Sequence, residues 1–88
     1  MSYNKIPQDT LEEESRLKKA FRYHKAEKYL ESLDECRKIL DKNPKCIPAL
    51  LQAYRSSHML YEKTENEDWK TIRTEYHKRY MKLGGRVK

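Results

Sequence analysis

Among the residues of this chain that could ligate a metal ion or act as nucleophiles, the rarest are two cysteines and three histidines. Cys36 and Cys46 stand ten positions apart, and the histidines lie far apart at positions 24, 58 and 77. Zinc sites normally use C-x2-C or H-x3-5-H pairs, and neither spacing occurs here. Catalysis by a Cys–His pair also needs a third group that orients the base, and nothing marks one. The sequence therefore predicts no metal site.

Other catalytic motifs are also missing from the sequence. There is no glycine-rich phosphate loop and no G-x-S-x-G elbow. The acidic triplet Glu12-Glu13-Glu14 lies at an expected helix start, where exposed carboxylates have no reason to act as a general acid and base pair. We therefore expect a protein that is not an enzyme and that binds no cofactor.

Two segments interleave basic and aromatic residues, KKAFRYHK at 18–25 and RTEYHKRY at 73–80. Surfaces that bind nucleic acid combine lysine and arginine with aromatic rings on which bases stack. The alternative is an amphipathic helix that has tyrosines on its buried face and lysines and arginines on its solvent-exposed face. The first interpretation predicts an RNA- or DNA-binding surface, on a ribonucleoprotein particle for example, led by Lys78, Arg79, Lys82 and Arg86.

Composition limits the possible architectures to small ones. The chain has 88 residues, of which 36% are hydrophobic, and 20 Lys+Arg against 14 Asp+Glu give a net charge of +6. This is enough for one domain with a thin core, and the positive charge suits either an acidic partner or a polyanion. No secretory signal or membrane-spanning segment is recognisable, so we expect reduced thiols, no membrane partner and an intracellular location, cytoplasmic or nuclear.

Apolar residues at three- and four-residue spacing predict an all-α chain. The expected helices cover about 10–24, 26–40, 48–61 and 68–83. Thr10 and Thr64 each begin a T-x-x-E capping box, while Pro44 ends the second helix and Pro48 suits the first turn of the third. Cys36 is expected in the core and Cys46 at a helix start. The resulting domain is 10–83, with a flexible lead at 1–9 and a basic tail at 84–88.

The segment 28–44 resembles the second helix of a tetratricopeptide repeat. The aromatic, small, apolar and proline positions of that pattern are occupied here by Tyr29, Ser32, Cys36, Ile39 and Pro44. Residues 46–53 look like the opening of another repeat, and about six extra residues are assigned to a loop between Tyr61 and Asp68. The resemblance implies four helices in two antiparallel hairpins with right-handed stacking.

The same resemblance implies an adaptor that binds a protein segment and helps to assemble a complex. The groove of the first helices would present Arg16, Lys19, Tyr23, Gln52 and Arg55. The family's clamp for a carboxylate tail is missing, since Leu17, Phe21 and Gln52 stand in its Lys and Asn places. Two repeats leave apolar ends exposed, which predicts a protein partner or a homodimer.

Overall fold

The computed structural model of the chain describes residues 8–84. They form four helices: α1 (Gln8–Lys25), α2 (Tyr29–Lys42), α3 (Ile47–Thr64) and α4 (Glu67–Lys82). Residues 8–84 contain no strand, so the predicted all-α fold is confirmed. Most of the predicted lead and of the basic tail, including Arg86, lies outside the described residues.

The predicted start of α1 and the predicted loop after α3 are both wrong. α1 begins at Gln8, which places Thr10 inside the helix rather than at its cap. α3 continues to Thr64 because the residues after Tyr61 include no proline or glycine, so most of the extra residues extend the helix. The helix ends at Glu65, whose backbone adopts the left-handed conformation with φ of 56°.

The cap of α4 also differs from the prediction, which placed it at Thr64. The N-cap is Asn66, whose side-chain oxygen accepts a hydrogen bond from the backbone N–H of Asp68 at 2.9 Å. The Thr64 hydroxyl donates to the carbonyl of Leu60 at 2.7 Å and accepts from the backbone N–H of Asn66 at 3.2 Å, so it stabilises the turn between α3 and α4 without being the N-cap of α4.

Consecutive helices pack against each other, and α3 also contacts α1. We call α1 and α2 the first pair and α3 and α4 the second pair. Small residues lie where the helices approach closely, and the larger apolar side chains fill the space between them. The buried apolar residues are Ala20, Tyr29, Leu33, Cys36, Ile39, Leu40, Cys46, Ala49, Leu50, Ala53, Leu60, Tyr76 and Tyr80.

A buried polar network joins three helices at the centre of this core. The Gln52 amide donates to the hydroxyls of Ser32 (3.3 Å) and Ser56 (3.2 Å), and Ser56 donates to Ser32 at 3.0 Å. Ser32 in turn donates to the carbonyl of Ala20 at 2.8 Å. His24 Nδ1 lies 3.2 Å from Ser56 Oγ and acts as the donor, since the Ser56 proton is directed to Ser32. The network fixes how the second pair sits on the first.

Candidate functional site

Two ion pairs connect the helices of the first pair. Glu12 of α1 pairs with Lys42 of α2 at 3.0 Å, and Arg16 of α1 pairs with Glu35 of α2 at 3.1 Å. The first pair also exposes three large apolar side chains, Leu11 (44%), Phe21 (48%) and Leu30 (56%).

The outer side of the second pair is apolar, and we call it the open end. The α3 residues of the open end are spaced by four and three positions, so they share one side of the helix. Gln52 and Ser56 lie on the opposite side of α3 and face the first pair. Among the described helices, only α3 has its backbone close to that of α4. The open end consists of Ile47, Leu51, Tyr54 and His58 from α3 and of His77 and Met81 from α4. Ile47 is 37% exposed and Met81 is 46% exposed.

Aromatic and basic side chains hold α3 and α4 together at the open end. The Tyr54 ring lies 5.2 Å from the His77 ring and 6.4 Å from the His58 ring. The Arg73 guanidinium lies 2.9 Å from His58 Nδ1 and 5.4 Å from the centre of the Tyr61 ring. Because a guanidinium can only donate, His58 Nδ1 is the acceptor. These contacts preorganise the surface.

Positive charge surrounds the open end. Arg55, Arg73 and Lys78 have no ion-pair partner among residues 8–84, while Lys70 lies 4.0 Å from Glu67. A further carboxylate, Glu62, follows His58 by one turn of α3. Glu75 lies beside His77 and Met81 on α4. Arg55 and Glu62 continue the three- and four-residue spacing of the α3 side chains, so the open end combines apolar, aromatic and charged side chains, with more cations than carboxylates.

The structure does not bring the five predicted protein-binding residues together. Gln52 is only 3% exposed and belongs to the buried network, so its predicted place in a groove is wrong. Arg16 is half-buried in its ion pair, and Lys19 lines one depression with Arg16 and another with Tyr23, so these three lie along one flank of α1. Arg55 is exposed at the edge of the open end.

Two of the predicted nucleic-acid-binding residues meet in a depression of about 330 Å³, which we call the basic depression. It lies between the α2–α3 connection and the end of α4. Its lining residues are Pro44, Lys45, Arg79, Lys82 and Leu83. Sequence reasoning missed Lys45, because nothing in the sequence indicates that this connection approaches the end of α4. Lys78 is exposed and does not line this depression, but it lines a neighbouring one of about 590 Å³ together with Arg79, Lys82 and the carboxylate Glu75.

The tyrosines of the C-terminal basic segment are part of the core. Tyr76 and Tyr80 are only 8% and 7% exposed, so neither ring is available for stacking with a base. The interleaved pattern at 73–80 therefore reflects a helix that buries its tyrosines and leaves its cations at the surface.

The two cysteines occupy the predicted positions. Cys36 is fully buried, and Cys46 is the N-cap of α3, with its thiol 3.2 Å from a carboxylate oxygen of Glu13. Burial raises the pKa of Cys36 to about 12 and that of Cys46 to about 11. Such thiols are poor nucleophiles at neutral pH. Within residues 8–84 no group of three His, Cys, Asp or Glu side chains could hold a metal ion.

Sequence reasoning also missed the open end. The spacing of Ile47, Leu51, Tyr54 and His58 is a signal that could have found it. That signal is weak because α3 also carries a buried face, formed by residues such as Leu50 and Ala53.

The helices of the described part are all too short or too polar to cross a membrane. Comparison with known proteins finds no matching protein family, no matching curated protein and no matching solved structure. The function is therefore inferred from the surfaces of the chain itself.

Proposed function

We propose that this protein is a small non-enzymatic adaptor whose open end packs against an acidic amphipathic helix of a partner protein. The observation that carries the proposal is the exposure of Ile47 and Met81 on a preorganised two-helix surface. Isolated exposed apolar residues are common, whereas apolar side chains grouped on one surface mark an interaction surface.

The packing within the chain supports a helix as the occupant. α3 lies against both α1 and α2, so a pair of helices in this protein already accommodates a further helix on its side. The tetratricopeptide-like pattern at 28–44 supports the same arrangement, since each unit of such an array covers the apolar side of the preceding one. The open end is the side of the second pair that corresponds to the side of the first pair on which α3 packs.

Charge supports an acidic partner rather than a second copy of this chain. The net charge is +6, and Arg55, Arg73 and Lys78 at the edges of the open end have no ion-pair partner in the described part. A second copy would bring like charges together, whereas glutamate residues beside an apolar stripe would complement them.

The test uses two synthetic helical peptides of about 18 residues with the same leucine stripe, one with glutamate and one with lysine on the flanks. Isothermal titration calorimetry measures binding of each to the full chain. We expect the acidic peptide to bind at least about tenfold more tightly, a difference of about 1.4 kcal/mol. Equal binding or no binding would overturn the proposal.

The position of the peptide-binding surface is tested by surface substitutions that leave the core unchanged. Ile47→Ser and Met81→Ser remove apolar area without adding charge, and each should weaken binding of the acidic peptide at least about tenfold. Leu30→Ser is the matched control, because Leu30 is 56% exposed on α2 and lies outside the open end. Sedimentation equilibrium of the free chain should give a monomer, and a stable dimer lost in Met81→Ser would show that a second copy covers the surface.

A further inference from the structure

The basic depression brings three cations together from two separate parts of the chain. Lys45 comes from the α2–α3 connection, while Arg79 and Lys82 come from the last turn of α4. None of its lining residues is a carboxylate, and none of the three cations has an ion-pair partner among the described residues. Like charges are costly to gather unless an anion neutralises them.

Arg79 is held in place rather than free in solvent. Its guanidinium lies 5.6 Å from the centre of the Tyr76 ring, and Nη2 donates to the carbonyl of Pro44 at 3.4 Å. Arg79 is half-buried, and Tyr76 is itself fixed by burial and by a contact of its hydroxyl with Arg37 Nε at 3.4 Å. A preorganised guanidinium loses less entropy when it binds an anion.

We propose that the basic depression binds one phosphate group, either inorganic phosphate or a phosphate monoester. Such a group carries about 1.5 to 2 negative charges at neutral pH and at least three acceptor oxygens, which suit a depression lined by three cations and no carboxylate. Pro44 and Leu83 add apolar surface beside the three cations.

A nucleic-acid backbone fits the depression less well than a monoester does. Each phosphodiester carries one negative charge, and proteins that bind single strands add exposed aromatic rings for the bases. The aromatic rings nearest in sequence, Tyr76 and Tyr80, are both buried. The observations therefore favour a single phosphate group, free in solution or attached to a side chain of a protein.

The first test is a titration of the ¹⁵N-labelled chain with inorganic phosphate, followed by amide chemical shifts at constant ionic strength against sodium chloride. We expect saturable shifts at residues 45–46 and 79–83, with a dissociation constant on the order of a millimolar. Arg79→Gln should weaken binding at least about tenfold. Lys18→Gln is the control, since Lys18 is an exposed, unpaired cation on α1, and it should bind as the original chain does.

Two further arms identify the source of the phosphate. A peptide containing phosphoserine should shift the same amides and its unphosphorylated form should not, whereas saturation by inorganic phosphate alone would identify a free small ligand. Either result supports the site. An oligonucleotide that shifts these amides more strongly than any monoester would overturn the proposal, and so would shifts that fail to saturate.

The Arg79 variant loses its contact with Pro44, so its fold is checked by circular dichroism. Lys45→Gln is the second variant, because Lys45 is exposed in a connection and its side chain makes no hydrogen bond to the protein in the described part. Unchanged phosphate binding in a folded Lys45→Gln chain and in a folded Arg79→Gln chain would overturn the proposal.

Discussion

The side-chain amide of Gln52 lies 3.3 Å from the hydroxyl of Ser32 and connects α3 to α2 inside the core. A residue that the sequence places on a binding surface is thus part of the packing between the two helix pairs. All buried side-chain N and O atoms of the described part have a hydrogen-bond partner, so this network is complete. A complete buried network specifies one arrangement of the helices, since any shift leaves a polar group unpaired.

Gln52→Ala should therefore destabilise the chain markedly. The substitution removes two buried hydrogen bonds and leaves a cavity, so the free energy of unfolding should fall by about 2–3 kcal/mol. Urea unfolding followed by circular dichroism measures the change. Arg55→Ala, an exposed position on the same helix, is the control and should change stability by less than about 0.5 kcal/mol. Equal stability of the two variants would show that the network does not hold the pairs together.

His24 should make stability depend on pH. Burial, with a smaller contribution from the charge of Arg55, lowers the pKa of His24 below its usual value of 6.5. The unfolded chain then takes up a proton at higher pH than the folded chain does. The stability from neutral His24 is present above about pH 6.5 and is lost as the pH falls below that value.

The measurement for His24 is the midpoint of thermal unfolding between pH 7.5 and pH 5. The midpoint of the original chain should fall over this range by more than that of His24→Gln, which cannot take up the proton. If the two chains show the same pH dependence, groups other than His24 are responsible.

Glu65→Gly should stabilise the chain. Glu65 caps α3 with φ of 56°, a conformation that costs a non-glycine residue about 1 kcal/mol and that glycine adopts freely. We expect a gain of about 0.5–1 kcal/mol in the free energy of unfolding. Glu62→Gly lies inside the same helix at an exposed position and should instead lose about 1 kcal/mol. A loss of stability in both variants would contradict the role of the left-handed cap.

The two thiols should react slowly in the folded chain. Burial raises the pKa of Cys36 to about 12 and that of Cys46 to about 11, so almost no thiolate is present at pH 7.5. Absorbance during treatment with Ellman's reagent should show little reaction until urea unfolds the chain, when two thiols react. Rapid reaction of either thiol without denaturant would mean that it is exposed.

Local spacing in the sequence determined the helices and much of the core. Leu33, Cys36 and Leu40 recur at three- and four-residue steps on α2, Pro44 lies just beyond the end of α2, and Pro48 lies in the first turn of α3. These signals act within one or two turns of a helix, where the backbone hydrogen bonds also form, so they can be read without knowing the fold.

Only the tertiary structure decided which polar residues serve the core and which serve a surface. Gln52 is buried because Ser32 and Ser56 approach it from two helices, and Lys45 joins Arg79 because the α2–α3 connection meets the end of α4. These neighbours are separated by between 4 and 34 positions in the sequence, and the longer separations leave no periodic trace. Helical spacing predicts which side chains share a face of a helix, whereas the packing of separate helices decides what that face contacts.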